Sequence, residues 1–206
     1  MERRYSRPVS VNANAIGQVF GPREFQLVLL RRMADYQPQL VEDARRRLGA
    51  TATEMRAVNA AWQRRLRSPR ATGGTRDLRT ILGEPLAESA RTVAGTPCRI
   101  RQWQLPLWPD LRFEALVGPG DAPLTEMLVR GPGSPAPQLE SLDDLTPWSC
   151  VISDVERAFP PVRHVEGSAP GRWTTLLEVD KERVAADFVS GLLQEVRRLP
   201  ESSHSG

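Results

Sequence analysis

Residues 111–117 read Leu-Arg-Phe-Glu-Ala-Leu-Val, and an apolar side chain stands at every odd-numbered position. A period of two predicts a β-strand with one buried face. A Gly-Pro-Gly-Asp turn at 118–121 and a second apolar run at 124–130 continue the pattern as an antiparallel hairpin. Further strands are predicted at 98–105, 148–152 and 172–179.

The segment before these strands has the apolar period of helices. A stripe from Phe25 to Tyr36 follows Gly21-Pro22, and its width predicts a helix that is buried on more than one side. Pro38 begins a second helix, which Gly49 ends. Residues 51–54 (Thr-Ala-Thr-Glu) have capping-box spacing, so a third helix is expected from about residue 52 to about residue 66.

Helical spacing also appears later in the chain. One or two short helices are expected between Thr75 and Ala94, and a capping box at 153–156 predicts another. Asp180 is expected to cap a terminal helix carrying the apolar residues Val184, Phe188, Leu192 and Val196. The predicted class is α+β, with three to five N-terminal helices followed by an antiparallel sheet of about four to five strands and a C-terminal helix.

Composition divides the chain into four segments. They are a flexible lead-in at 1–15, a basic helical region at 16–95, an acidic region of sheet and terminal helix at 96–200, and a disordered tail at 201–206. Within the third segment, residues 131–147 are rich in Pro, Gly, Ser and acids, which predicts a loop.

The two parts of the chain carry opposite charge. Residues 1–80 have a formal charge of +9 and residues 81–206 of −6. A contiguous, exposed cationic surface would attract a polyanion, so this asymmetry favours a nucleic-acid partner. Arginine provides 27 of the 28 basic residues throughout the chain, which is typical of a GC-rich bacterial genome and carries no functional weight here.

Residues 38–67 resemble a helix-turn-helix, although the turn spacing is one residue longer than usual. Arg56, Asn59 and Gln63 share one face of the third helix, where Arg pairs with guanine and Asn or Gln with adenine. Arg64 and Arg67 flank them. Further arginines are predicted to hold phosphates, namely Arg45, Arg46, Arg47, Arg65, Arg67 and Arg70. The alternative is an ordinary solvated face, which every amphipathic helix has.

Catalytic and metal-binding patterns are weak. Cys150, His164 and Asp154 could in principle form a nucleophile and base, but a packed core thiol explains Cys150 better. Two histidines and two cysteines at scattered positions do not match zinc spacing, and no glycine-rich phosphate loop is present. The sequence therefore predicts no catalytic residue, no metal site and no cofactor.

The composition excludes a transmembrane protein, since no apolar run approaches about 18 residues. Without a secretory signal pattern or a disulfide framework, a cytoplasmic location is expected. The first hypothesis is a non-enzymatic, regulatory nucleic-acid-binding protein that could be a homodimer. An accessory protein that docks an acidic partner is the alternative, and a small enzyme of unassigned chemistry ranks last. Trp103 and Trp108 are expected in the core rather than in a binding patch.

Overall fold

A computed structural model describes residues 20–67, 75–167 and 169–200 of the chain. Its helices are α1 Pro22–Met33, α2 Pro38–Arg47, α3 Ala52–Arg67, α4 Thr75–Leu82 and α5 Ile152–Ala158. Its strands are β1 Ala87–Val93, β2 Thr96–Gln104, β3 Leu111–Val117, β4 Pro123–Arg130, β5 Arg163–Glu166, β6 Arg172–Val179, β7 Glu182–Val189 and β8 Leu192–Arg198. The predicted α+β class is confirmed.

The strands form two antiparallel sheets, sheet A in the order β1-β2-β3-β4 and sheet B in the order β5-β6-β7-β8. The predicted lead-in at 1–15, the loop at 68–74 and the tail at 201–206 lie outside the described residues. Among the helices that are described, none combines the length and apolar character needed to cross a bilayer.

Helix α1 lies at the centre of the larger core. All six residues from Phe25 to Leu30 are buried, because the helices α2, α3 and α4 pack on α1 and sheet A covers another side of it. Phe25 packs edge-on against Phe113 of β3, with ring centroids 4.8 Å apart, and against Trp62 of α3 at 5.7 Å. The prediction that this helix is buried on more than one side is confirmed.

The turn between α2 and α3 forms as its residues predict. Gly49 takes a left-handed conformation with φ of 62°, which glycine adopts without steric penalty. The Glu54 backbone N–H donates to Thr51 Oγ1 at 3.0 Å, and the Thr51 N–H donates to Glu54 Oε2 at 3.4 Å. The capping box is therefore confirmed. Both α2 and α3 pack mainly on α1 rather than on each other.

In sheet A, the side chains on one face of β3 are buried against α1. Leu111, Phe113, Ala115 and Val117 are buried, whereas the residues between them are partly exposed. Arg101 is also buried, at 2% exposure, and its guanidinium binds Glu88 at 2.9 Å and Asp121 at 3.1 Å. The period-two reading of this region is confirmed, and it continues into β2 and β4 through the antiparallel register.

Of the one or two short helices expected between Thr75 and Ala94, the first is present as α4. A second helix there is wrong, because residues 87–93 form β1. Ala94 and Gly95 both have positive φ, at 47° and 79°, and form a two-residue turn into β2. Strand β1 is an exposed edge strand, so it lacks the buried face that gives strands their alternating pattern.

The C-terminal helix is wrong as well, because Asp180 begins a turn and residues 182–198 form the hairpin of β7 and β8. Residues four apart share a face in a strand as well as in a helix, so Val184 and Phe188 fit both periods. Sheet B is covered on both faces near β7, where Ala185 and Val189 are buried together with Val184 and Phe188. This continuous apolar run hides the period of two.

The predicted strand at 148–152 reduces to one bridge between Val151 and Leu192. The helix predicted from residues 153–156 is present as α5, but its cap differs. Asp154, rather than a hydroxyl, accepts the backbone N–H of Val151 at 3.1 Å. Helix α5 and the preceding loop cover one face of sheet B and form a second, smaller core with Leu177 and Phe188.

The two sheets join where the β7–β8 turn meets the edge of β4. The Leu128 N–H donates to Ser190 O at 2.7 Å, and Val189 and Leu192 belong to the same core as α1. Gly191 has φ of 81°, and a Cβ at this position would lie 2.5 Å from Leu128 O. Only glycine fits this contact without moving β4.

Candidate nucleic-acid interface

The outer face of α3 carries three exposed arginines of the helical region, Arg56, Arg64 and Arg67. Met55, Val58 and Trp62 bury the opposite face, as predicted. The predicted reading residues lie on the outer face, where Arg56, Arg64 and Arg67 are exposed and Asn59 and Gln63 are half-buried. At about 1.5 Å per residue, the face from Arg56 to Arg67 extends over roughly 16 Å.

The arginines of this face are not matched by carboxylates. In the described parts of the chain, Arg47, Arg64 and Arg67 make no hydrogen bond or ion pair, and Arg56 donates only to Thr53 Oγ1 at 3.3 Å. The acid of the helix, Glu54, is bound to Arg23 at 2.7 Å. The Arg23 hydrogen bond holds the pKa of Glu54 below its usual range, so this carboxylate is charged and occupied.

Two of the three α2 arginines are already engaged. Arg45 has 12% of its side chain exposed, and its guanidinium binds both Glu42 and the Ala50 carbonyl oxygen. Arg46 pairs with Glu42 at 3.0 Å and with Asp43 at 3.5 Å. Arg45 therefore holds the α2–α3 turn instead of facing a ligand, and Arg47, at the end of α2, is the one exposed arginine of the three without an acid partner among the described residues.

Other arginines of the basic region pair with nearby acids. Arg31 binds Asp35 at 3.2 Å, and Arg79 binds Glu84 at 3.4 Å and Glu88 at 3.3 Å. Arg65, which was also predicted to hold phosphate, is half-buried and has an interaction within the protein. In α2 and α3, the exposed arginines without an acid partner among the described residues are therefore Arg47, Arg56, Arg64 and Arg67. Arg70 lies outside the described residues.

The weaker catalytic candidate does not assemble. Cys150 is fully buried, and this burial raises the pKa of its thiol to about 11. His164 binds Glu156 Oε1 at 2.7 Å and Thr175 Oγ1 at 3.1 Å, and neither of these contacts is with Cys150. Asp154 is occupied by Arg130 and Arg157. These three residues therefore form no nucleophile-base set.

The tryptophans at 103 and 108 belong to the core, as expected, with 2% and 8% exposure. Sequence reasoning missed two charged residues with inward positions, Arg32 and Glu126. Arg32 lies four residues after Val28 on the buried side of α1, and Glu126 lies opposite Ala115 on the inner face of sheet A. In both cases the sequence places a charged residue at a position where the apolar periodicity of the element predicts a buried side chain.

Comparison with known proteins does not place the chain in a family. No protein-family model matches it, and no curated protein matches it either. Among solved structures, it is similar to a candidate beta-lactamase inhibitor protein from Streptococcus mutans. The identity is 13%, the alignment covers 62% of this chain and 82% of the other, and the TM-score is 0.28.

Proposed function

We propose that the protein binds nucleic acid through the outer face of α3. The observation that carries the proposal is that Arg56, Arg64 and Arg67 of α3 are exposed, as is Arg47 at the end of α2, and none of the four is paired with a carboxylate among the described residues. An arginine without a carboxylate partner contributes positive electrostatic potential that can attract an external anion, whereas a paired carboxylate largely cancels that potential. This contrast within one helical region points to α3.

Each side chain has a role in this proposal. The four arginines neutralise backbone phosphates. Their planar guanidinium groups can also donate paired hydrogen bonds to guanine. Asn59 and Gln63 supply amide groups that can bind adenine edges, and both are partly accessible between the arginines. A helix of this kind can enter a DNA major groove, which is about 12 Å wide.

Salt dependence gives a quantitative test. Four phosphate contacts predict a slope of about −3.6 for log K against log salt concentration, because each contact contributes about −0.9. Affinity would then fall about 150-fold between roughly 50 and 200 mM salt. Fluorescence anisotropy with a labelled duplex of mixed sequence measures both the affinity and the slope.

The decisive variant is Arg56→Ala/Arg64→Ala/Arg67→Ala, which should reduce the slope to about −0.9 and remove most binding. Arg46→Ala is the matched control, because Arg46 is exposed but paired with Glu42 and Asp43. The control should bind almost as the wild type does. Equal losses in both variants, or no binding by the wild type, would reject α3 as the interface.

The amide groups are tested separately. Arg56→Ala combined with Gln63→Ala should weaken duplex binding at moderate salt more than Arg56→Ala alone does, because one adenine contact is lost together with one phosphate or guanine contact. If Gln63→Ala alone weakens binding to all sequences equally, Gln63 does not read bases.

An acidic protein segment is the second candidate partner for the same face. The observation that favours it is Leu66, which is 54% exposed beside Arg67 and could anchor an apolar side chain of a partner. Leu66→Ala separates the two candidates. It should leave duplex affinity unchanged but weaken a complex with an acidic, leucine-containing peptide.

A further inference from the structure

A cavity of about 550 Å³ lies between α1, α3, α4, the start of β4 and the connection from β5 to β6. Its apolar walls include Trp62, Leu78, Leu124 and Trp173. This volume falls within the usual range for small-molecule sites, which is about 300–1,000 Å³. Trp62 and Leu66 are the α3 residues that line it, whereas Arg56, Arg64 and Arg67 do not.

Two opposite charges, Arg32 and Glu126, line this cavity without touching each other. Both are half-buried, and among the described residues neither makes a hydrogen bond or an ion pair within 4.0 Å. Arg32 Nη1 lies near the β5–β6 connection, 3.9 Å from where a Cβ on Gly171 would be. The two charges have thus lost part of their hydration without gaining a direct partner in the described portion of the chain.

The electrostatics of the pair agree with this geometry. Burial lowers the pKa of Arg32 and raises the pKa of Glu126, and in each case the other residue's charge opposes the effect. The indole N–H of Trp62 is also buried without an acceptor in the part of the chain that the structure describes. Half-satisfied polar groups beside an apolar cavity are costly to maintain unless something binds there.

We propose that this cavity binds an apolar α-amino acid. The ligand carboxylate would bind Arg32, the ammonium group would bind Glu126, and the side chain would contact Trp62, Leu78 and Trp173. A zwitterion carries one carboxylate and one ammonium group, so it offers an opposite charge to each of these two side chains. An arginine fork binds a carboxylate through paired hydrogen bonds, and an ammonium group favours the ionised form of Glu126.

Calorimetric titration of the full chain with L-leucine and L-phenylalanine tests this site directly. N-acetyl-L-phenylalanine lacks the ammonium group, and phenethylamine lacks the carboxylate. We expect at least one amino acid to bind at least tenfold more tightly than the half-ligands. No binding of either amino acid at millimolar concentration, or equal affinity for the zwitterion and a half-ligand, would overturn the proposal.

Two variants locate the site. Arg32→Met keeps the unbranched stem but removes the guanidinium group, Glu126→Gln keeps the side-chain shape but removes the charge, and each should weaken amino-acid binding at least tenfold. Arg31→Gln is the control, because Arg31 is the neighbouring residue in α1 but is paired with Asp35 and does not line the cavity, and it should bind as the wild type does. Unchanged binding in Glu126→Gln would overturn the assignment. If Arg32→Met does not fold, Glu126→Gln and the half-ligands still decide the question, and all of these measurements are independent of DNA.

Discussion

Removing the Asp154 carboxylate should be among the most damaging single changes to this fold. The side chain is fully buried, and its oxygens accept from Arg130 at 2.5 Å, from Arg157 at 3.1 Å and from the Val151 N–H at 3.1 Å. Arg130 is at the end of β4 and Asp154 is in α5, so the pair joins sheet A to the smaller core. Arg130 has 18% of its side chain exposed, so water cannot fully replace the lost partner.

The cost can be estimated from these contacts. Stranding a buried charge by removing its partner costs about 3–5 kcal/mol, and the partial exposure of Arg130 favours about 3. Losing the acceptor for the Val151 N–H adds about 1 kcal/mol. The free energy of unfolding of Asp154→Ala should therefore fall by about 4 kcal/mol. At about 2–4 °C per kcal/mol for a chain of this size, Tm should fall by about 8–16 °C.

Urea unfolding followed by circular dichroism measures this change. In the double variant Arg130→Met/Asp154→Ala the stranded charge is gone, so stability should recover to within about 1–2 kcal/mol of the wild type. Arg157→Ala is the control, since Arg157 is 54% exposed and should contribute less than about 1 kcal/mol. A loss below about 1 kcal/mol in Asp154→Ala, or a double variant no more stable than the single one, would refute this reasoning.

Three further changes have definite expected outcomes. Both cysteines are buried and the pKa of Cys150 is about 11, so neither thiol should react with a disulfide reagent at mildly alkaline pH until denaturant is added; rapid reaction in the native protein would contradict this. Glu88→Gln should destabilise the protein at neutral pH by weakening the binding of buried Arg101. Because Arg101 holds the pKa of Glu88 below its usual range, the wild type loses this stabilisation as pH falls, and the two stability curves should converge in acid rather than run parallel. Gly191→Ala should cost about 3 kcal/mol or more, because its Cβ would meet the β4 backbone at 2.5 Å, whereas Gly95→Ala, with a similar φ but open space, should cost about 1 kcal/mol by the same urea measurement; equal costs would contradict the close approach.

Local signals predicted the parts of the fold in which one side of an element is buried. The capping box at 51–54 and Gly49 predicted the turn between α2 and α3. The alternation at 111–117 predicted strand β3 of sheet A and its buried face. Sheet B was harder, since its central strand is buried on both faces and has no alternation. Its two-residue turns at 180–181 and 190–191 lack the Asn-Gly or Asp-Gly pairs that announce a hairpin.

The candidate site was predictable in part for similar reasons. Helical periodicity placed Arg56, Asn59 and Gln63 on one face of α3, and the structure brings them there. Periodicity could not show that Arg45 turns back to the Ala50 carbonyl, because this contact depends on the path of the following turn. The proximity of Arg32 to Glu126 depends on how α1 packs against β4, which no local pattern encodes.

The docking of the β7–β8 turn on β4 has a consequence for dissecting this protein. Ser190 occupies a backbone donor on the β4 edge, and Val189 and Leu192 complete the core around α1. A fragment that stops before β5 would leave this edge unpaired and the adjoining apolar side chains in water. Bare strand edges of this kind pair with one another, so the excised N-terminal portion should self-associate rather than persist as an independent monomer.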